Sequence, residues 1–104
     1  MQAVCVRFFV EEGMKHAHRP LHEWLFETAQ ALGISGGTAF RACAGFGRHG
    51  LHVDHFFELA GQLPETLEFI ADADRIDALI RQVGASGLRL VYAVHLVELG
   101  VTGD

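Results

Sequence analysis

Residues 3–10 read Ala3-Val-Cys-Val-Arg-Phe-Phe-Val10 and are followed by two glutamates and a glycine. Valine and phenylalanine favour extended backbone, and Gly13 marks a turn, so this run predicts a β-strand. Successive side chains point to opposite faces of a strand. One face therefore carries Val4, Val6, Phe8 and Val10. The other carries Ala3, Cys5, Arg7 and Phe9. Both faces are largely apolar, which predicts that both are covered in the native protein.

Two later segments repeat apolar residues at helical spacing. The first spans about Leu21 to Leu32 and has Pro20 at its start, where proline is tolerated. Its inward positions are Leu21, Trp24, Leu25, Ala29 and Leu32. The second is capped by Asp72 or Asp74 and ends at Gly84. Its inward positions are Ile76, Leu79, Ile80 and Val83. Each segment predicts an amphipathic helix.

Three more extended runs complete the pattern, at Thr38–Ala44, Thr66–Ala71 and Leu88–Val97. Pro64 is expected to precede the ladder of the second run, because it has no N–H to donate. The order βαββαβ predicts a ferredoxin-like α+β fold, in which a four-stranded antiparallel sheet carries both helices on one face. The second sheet face is then expected to be buried against other subunits, and a monomer with an uncovered sheet is the alternative.

Length and composition narrow the class of protein. A chain of 104 residues and 11.4 kDa predicts one domain over residues 1–104. The net charge is -5 and the eight basic residues are scattered, which argues against a nucleic-acid partner. We read no signal peptide and no membrane-inserting segment, so a cytoplasmic location is expected. Cys5 and Cys43 lie in separate apolar runs and are interpreted as buried thiols.

A set of short motifs follows in a distinctive order along the chain. The motifs are Gly36-Gly-Thr38, Gly45-Phe-Gly-Arg48, Leu63-Pro64 and an aspartate-rich helix start before Ile76. Together they resemble the nitrogen-regulatory PII signalling proteins, and more closely a related PII-like family of uncharacterised proteins. The resemblance covers about Val4 to Val97. It implies a ferredoxin-like domain, a homotrimer, and an adenine nucleotide bound in the cleft between adjacent subunits.

The resemblance also implies which residues bind the nucleotide. Thr38 matches an adenine-contacting position, and Gly45, Phe46, Gly47 and Arg48 match the base of the loop that lines the cleft. Glycines let backbone amides approach an anion, and an arginine can make paired hydrogen bonds to phosphate. Arg89 is added as a second phosphate contact. The alternative reading is a tight turn followed by a solvated Arg48.

Departures from the PII pattern shape the expected ligand and mechanism. The loop from Arg48 to Phe57 is short and has no tyrosine, so it offers no acceptor for the modification of some PII proteins. The connection Gly84–Arg89 is less basic than the phosphate-gripping loop of PII, which favours AMP, ADP or another small anion over ATP. The effector is expected to order the loop from Gly45 to Phe57 and so regulate an unidentified partner protein, for example a membrane transporter.

Two other classes of function remain open from the residues alone. His49, His52 and His55 recur at every third position in one loop, and three imidazoles suit a divalent metal, so a trimeric metal-binding protein is the alternative function. A purely structural trimer is the third class. The chain has no nucleophile elbow, zinc-protease motif or phosphate-loop signature, and we therefore expect it not to be an enzyme.

Overall fold

The computed structural model of the protein describes residues 1–47, 50–52 and 63–103. Arg48, His49 and His55, which were singled out above, lie outside these ranges, and so do residues 53–57 of the loop that was expected to order on effector binding. The elements in chain order are β1 (Gln2–Glu11), β2 (Lys15–His16), β3 (Arg19–Pro20), α1 (Leu21–Ala31), β4 (Gly37–Arg41), β5 (Gly45–Gly47), β6 (Gly50–His52), β7 (Pro64–Ala71), α2 (Ala73–Ala85) and β8 (Val91–Glu98).

The main sheet has four antiparallel strands in the order β4-β7-β1-β8. The longest strand, β1, is central and pairs with β7 on one side, from Val4 opposite Ala71 to Glu11 opposite Pro64. On its other side Phe9 lies opposite Val91, at the start of β8. This strand order is that of a ferredoxin-like fold, so the predicted architecture is confirmed.

Both helices pack against the same face of the sheet. The buried cluster joins the alternate positions Val4, Val6, Phe8 and Val10 of β1 with Leu67 and Phe69 of β7. The helices contribute Leu21, Leu25 and Ala29 from α1 and Ile76, Leu79 and Val83 from α2. Full burial of a large apolar side chain stabilises a fold by about 1.5–3 kcal/mol, so this cluster is the main source of stability.

The structure moves several predicted boundaries. Strand β7 begins at Pro64, so the expectation that this proline precedes the ladder is wrong. Proline is accommodated as the first strand residue because its carbonyl still accepts a hydrogen bond, from the Ala42 N–H at 2.8 Å. Strand β8 begins at Val91, three residues later than expected, and helix α2 continues one residue past Gly84. Asp72 is the N-cap of that helix.

The polar segment before α1 contains a small hairpin that the sequence pattern did not indicate. In this hairpin Lys15 of β2 lies opposite Pro20 of β3, and His16 lies opposite Arg19. The two turn residues, Ala17 and His18, have φ of 54° and 64°. Such left-handed backbone normally favours glycine or asparagine. The His16 ring packs edge-on against Trp24 with centroids 4.5 Å apart, which ties the hairpin to α1.

The two cysteines differ in environment. Cys5 is buried in β1, and burial, with a further contribution from the Glu68 carboxylate, raises the pKa of its thiol. Cys43 is exposed, so the interpretation of both cysteines as buried thiols is wrong for this one. The reason is that β4 ends at Arg41, which leaves Cys43 in an irregular segment beyond the sheet.

Candidate functional site

A groove of 670 Å³ opens at one end of the main sheet. Strand β1 ends there, and β7 and β8 begin there, because antiparallel neighbours place opposite chain directions side by side. Its walls include Phe9, Glu11, Phe46, Glu65, Arg89 and Leu90. Apolar side chains therefore line it together with a few charged groups, as in many small-molecule sites.

Three residues of the predicted nucleotide site meet on this groove. Gly45 and Phe46 come from β5, which pairs with β6 to form a hairpin, and Arg89 comes from the connection between α2 and β8. Phe46 is 83 % exposed. A methyl group added at Gly45 would lie 3.6 Å from Pro64, an ordinary contact, so the packing of one chain does not require glycine there.

The remaining predicted residues lie elsewhere or outside the described ranges. Gly47 pairs with Gly50 at the end of the β5–β6 hairpin. Thr38 is on β4, opposite Glu68, and does not line the groove. Strand β4 and strand β8 are separated by two strands, which places Thr38 about 14 Å from the β8 edge. Arg48 is not among the described residues, so its role stays a prediction.

The described charges on the groove are of both signs. Arg89 is exposed and forms no ion pair with any residue in the described ranges. Glu11 and Glu65 are partly buried and line the same space. Arg41, at the end of β4, is held by Glu12 through a hydrogen bond of 2.6 Å. Among the described residues of one chain, Arg89 is thus the one groove-lining guanidinium that is uncommitted and can meet an anion.

Sequence reasoning missed Glu65, Thr66 and Phe9 as parts of the groove. Their positions follow from the register, in which Phe9 lies opposite both Thr66 and Val91. The motif Leu63-Pro64 was a usable signal, since it immediately precedes Glu65 and Thr66. The register itself, which depends on how distant strands pair, was not readable from local patterns.

On the sheet face opposite the helices, the end next to the groove leaves apolar side chains exposed, whereas Ala3 and Cys5 of the same face are buried. Phe40, Phe9 and Val91 form a row across it and are 50 %, 47 % and 52 % exposed. The next row holds an ion pair in which Arg7 Nε donates to Glu68 Oε2 at 2.9 Å. On the helix side, the edge strand β8 also leaves Tyr92, Val94 and Leu96 exposed. Apolar surface of this extent on a folded domain is typical of an interaction site.

The histidine hypothesis concerns residues that the structure describes only in part. His49 and His55 lie outside the described ranges, and β6 ends at His52. Within residues 1–47, 50–52 and 63–103, no group of three or more His, Cys, Asp or Glu residues is arranged to hold a metal ion. His22 packs against Phe26, with ring centroids 5.8 Å apart. The loop metal site therefore stays a hypothesis.

No helix in the described part of the chain is long and apolar enough to cross a membrane.

Comparison with known proteins extends these observations. The DUF190 family, described as Uncharacterized ACR, matches residues 3–98. A UPF0166 protein of Aquifex aeolicus (strain VF5) is 29 % identical over 97 residues, which cover 90 % of this chain and 92 % of that protein.

Solved structures of similar fold include PII-like proteins. One is CPII of Thiomonas intermedia K12, a nitrogen regulatory PII-like protein bound to ADP, AMP and bicarbonate. It superposes with a TM-score of 0.71 at 16 % identity, covering 97 % of this chain and 91 % of that chain. A putative PII-like signaling protein of Thermus thermophilus has a TM-score of 0.62 at 19 % identity, covering 93 % and 87 %. With the family match spanning nearly the whole βαββαβ unit, the chain belongs to the DUF190 family and has the fold of the PII-like proteins.

Proposed function

We propose that this protein is a PII-like sensor that binds an adenine nucleotide, AMP or ADP, in clefts between the subunits of a homotrimer. The observation that carries the proposal is the groove that joins Gly45 and Phe46 to Arg89, although these residues are far apart in the chain. The role is one of binding, with no catalytic step assigned to any residue.

The groove provides complementary surfaces for the parts of such a ligand. Phe46 presents an exposed ring against which an adenine base can stack. Arg89 offers a planar guanidinium that can donate two parallel hydrogen bonds to a phosphate. Gly45 has no side chain to block the approach of a ligand to its backbone. CPII of Thiomonas intermedia, which shares the fold, is bound to ADP and AMP, and this supports the choice of ligand.

A neighbouring subunit would complete this site. Among the described residues, the single guanidinium of Arg89 is a small cationic complement for a phosphate group, and Thr38 lies away from the groove of its own chain. A cleft between subunits can bring Thr38 of one chain towards the groove of another. The exposed apolar row on the open face and the exposed side chains of β8 favour such an assembly, because their burial would remove apolar surface from water.

The signal would arise from a shift in conformational population. The predicted site residues Gly45, Phe46 and Gly47 belong to the β5–β6 hairpin, so a nucleotide that contacts them would favour one arrangement of this hairpin. A partner protein that recognises this arrangement would then bind more or less tightly. A membrane transporter is one class of partner consistent with this scheme.

Calorimetric titration of the native protein with AMP and with adenosine tests the proposal. We expect AMP to bind, and we expect Arg89→Ala to weaken AMP binding by about 1.5 kcal/mol, at the lower end for a hydrogen bond to a charged group. Adenosine has no phosphate and should be far less affected. Arg81→Ala is the matched control, since Arg81 is exposed on α2 and does not line the groove.

Two results would reject this site. The first is the absence of AMP and ADP binding by the native assembly. The second is equal AMP affinity in the Arg89→Ala and Arg81→Ala variants, which would show that the phosphate does not contact Arg89.

A further inference from the structure

Two partly buried glutamates share the groove with Arg89. Glu65 is the second residue of β7 and lies opposite Val10, and Glu11 is the last residue of β1. Neither forms an ion pair with a residue in the described ranges. Arg41 lies opposite Glu65 in the ladder of β4 with β7, and its guanidinium pairs with Glu12 and not with Glu65. The described groove therefore has two carboxylates and one guanidinium.

The electrostatic effect of these groove charges on a bound nucleotide grows with the negative charge of the nucleotide. A base or ribose is neutral and is hardly affected by a carboxylate several ångströms away. Each added phosphate brings further negative charge into a groove where solvent screening is weaker than in bulk water, so its repulsion by Glu11 and Glu65 increases. Arg89 can pair with one phosphate in the bidentate manner, and a second or third phosphate gains less from it.

We propose that Glu11 and Glu65 are specificity-determining residues that limit the negative charge of the bound nucleotide, so that the groove prefers AMP to ADP and ADP to ATP. This inference rests on the proposed function. The inference explains the preference for fewer phosphates by repulsion from Glu11 and Glu65. The sequence analysis explained this preference only by a shortage of basic residues.

The test is the ratio of dissociation constants for ADP and AMP, measured by calorimetry in metal-free buffer. Glu65→Gln keeps the size and shape of the side chain and removes its charge. We expect the ratio to fall by roughly threefold to tenfold, the change for one unit charge at about 7 Å in a partly screened site. Glu11→Gln should act in the same direction. Adenosine affinity should be unchanged in both variants.

Glu23→Gln is the matched control, because it makes the same chemical change at an exposed position of α1 away from the groove. It should leave the ratio at the wild-type value. AMP binding by Glu65→Gln, measured in the same series, reports that the variant site is folded.

Three results would overturn the inference. An unchanged ADP to AMP ratio in both Glu65→Gln and Glu11→Gln would show that the carboxylates do not sense phosphate charge. Weaker ADP binding in Glu65→Gln, with or without added Mg²⁺, would show that the carboxylate attracts the ligand directly or through a cation. Failure of the wild-type protein to bind any of these nucleotides would reject the proposed function itself, and this is decided before any variant is made.

Discussion

Arg89 owes its exposure to the two leucines that flank it. Leu88 and Leu90 are partly buried and pack against the core, so the residue between them is turned towards solvent and the groove. The turn before them needs glycine at Gly87, where φ is 89°. Ser86 supports the turn by donating its hydroxyl hydrogen to the Val83 carbonyl at 2.6 Å. The position of Arg89 is thus determined by its neighbours in the chain.

At the same scale, Gly36 and Gly37 predict opposite responses to one substitution. A Cβ added at Gly37 would lie 2.5 Å from the Phe69 ring, which is 1 % exposed and is itself packed against Phe26. Gly37→Ala should therefore destabilise the protein by about 1–3 kcal/mol through overpacking. At Gly36 no atom lies within 4 Å of an added Cβ. Gly36→Ala should be neutral or stabilise by up to about 1 kcal/mol, because it restricts the unfolded chain.

Urea unfolding of the two variants and the wild type measures this difference. Equal stability of Gly37→Ala and Gly36→Ala would contradict the close approach of β4 to the Phe69 ring.

Among the elements, helix α2 begins with a cap that makes its stability depend on pH. Asp72 accepts a hydrogen bond from Arg75 Nη1 at 2.7 Å and another from the Arg75 backbone N–H at 3.3 Å. The side-chain bond from Arg75, followed by the backbone bond, holds the pKa of the Asp72 carboxyl below its ordinary value of 3.8. A carboxyl with a lowered pKa in the folded state stabilises that state above pH 3.8, and this contribution is lost as the pH falls through the folded pKa.

The Asp72→Asn variant tests this cap, because asparagine still accepts the backbone hydrogen bond but has no charge to titrate. We expect it to be less stable than the wild type at pH 7 and closer to the wild type at pH 2 to 3, as measured by urea unfolding at each pH. A difference that is independent of pH would show that the ion pair with Arg75 does not contribute.

Local patterns predicted the strands and helices well where apolar residues recur at a regular spacing. The alternation of residues 3–10 gave both faces of β1, and the spacing of Ile76, Leu79 and Val83 gave the inward face of α2. Boundaries failed where pairing with a distant strand decides them. Pro64 joins β7 because Ala42 donates to its carbonyl, and Cys43 is exposed because β4 stops pairing at Arg41. Neither partner is visible in the local sequence.

The candidate site likewise contains residues that the sequence indicated and residues that only the strand register reveals. Gly45 and Phe46 were expected from the resemblance to PII proteins and Arg89 from its chemistry; the structure brings the three residues to one groove, and their role in binding stays a prediction. Glu65 and Phe9 were not expected, because they reach the groove only through the register of β1 with its two neighbours.

For the whole molecule, the exposed apolar row of Phe40, Phe9 and Val91 predicts assembly. We expect light scattering to give a mass about three times the 11.4 kDa of one chain. Val97 lies on the open face opposite Ala3, so Val97→Glu should weaken the trimer, because an unpaired charge is costly in an apolar interface. Val101→Glu is the matched control, since Val101 lies beyond β8 and is 82 % exposed.

Circular dichroism separates loss of assembly from loss of fold in these variants. A wild-type protein that stays monomeric at micromolar concentration would remove the intersubunit cleft from the account. Equal trimer stability in Val97→Glu and Val101→Glu would exclude the open face from the interface.

The most direct test of the intersubunit nucleotide site is a crystal structure of the assembly grown with AMP. We expect AMP in the groove between two subunits, with a phosphate oxygen about 2.7–2.9 Å from an Arg89 guanidinium nitrogen, the usual length of a charge-assisted hydrogen bond. AMP bound away from Arg89, or a groove that stays without AMP at saturating concentration, would contradict it.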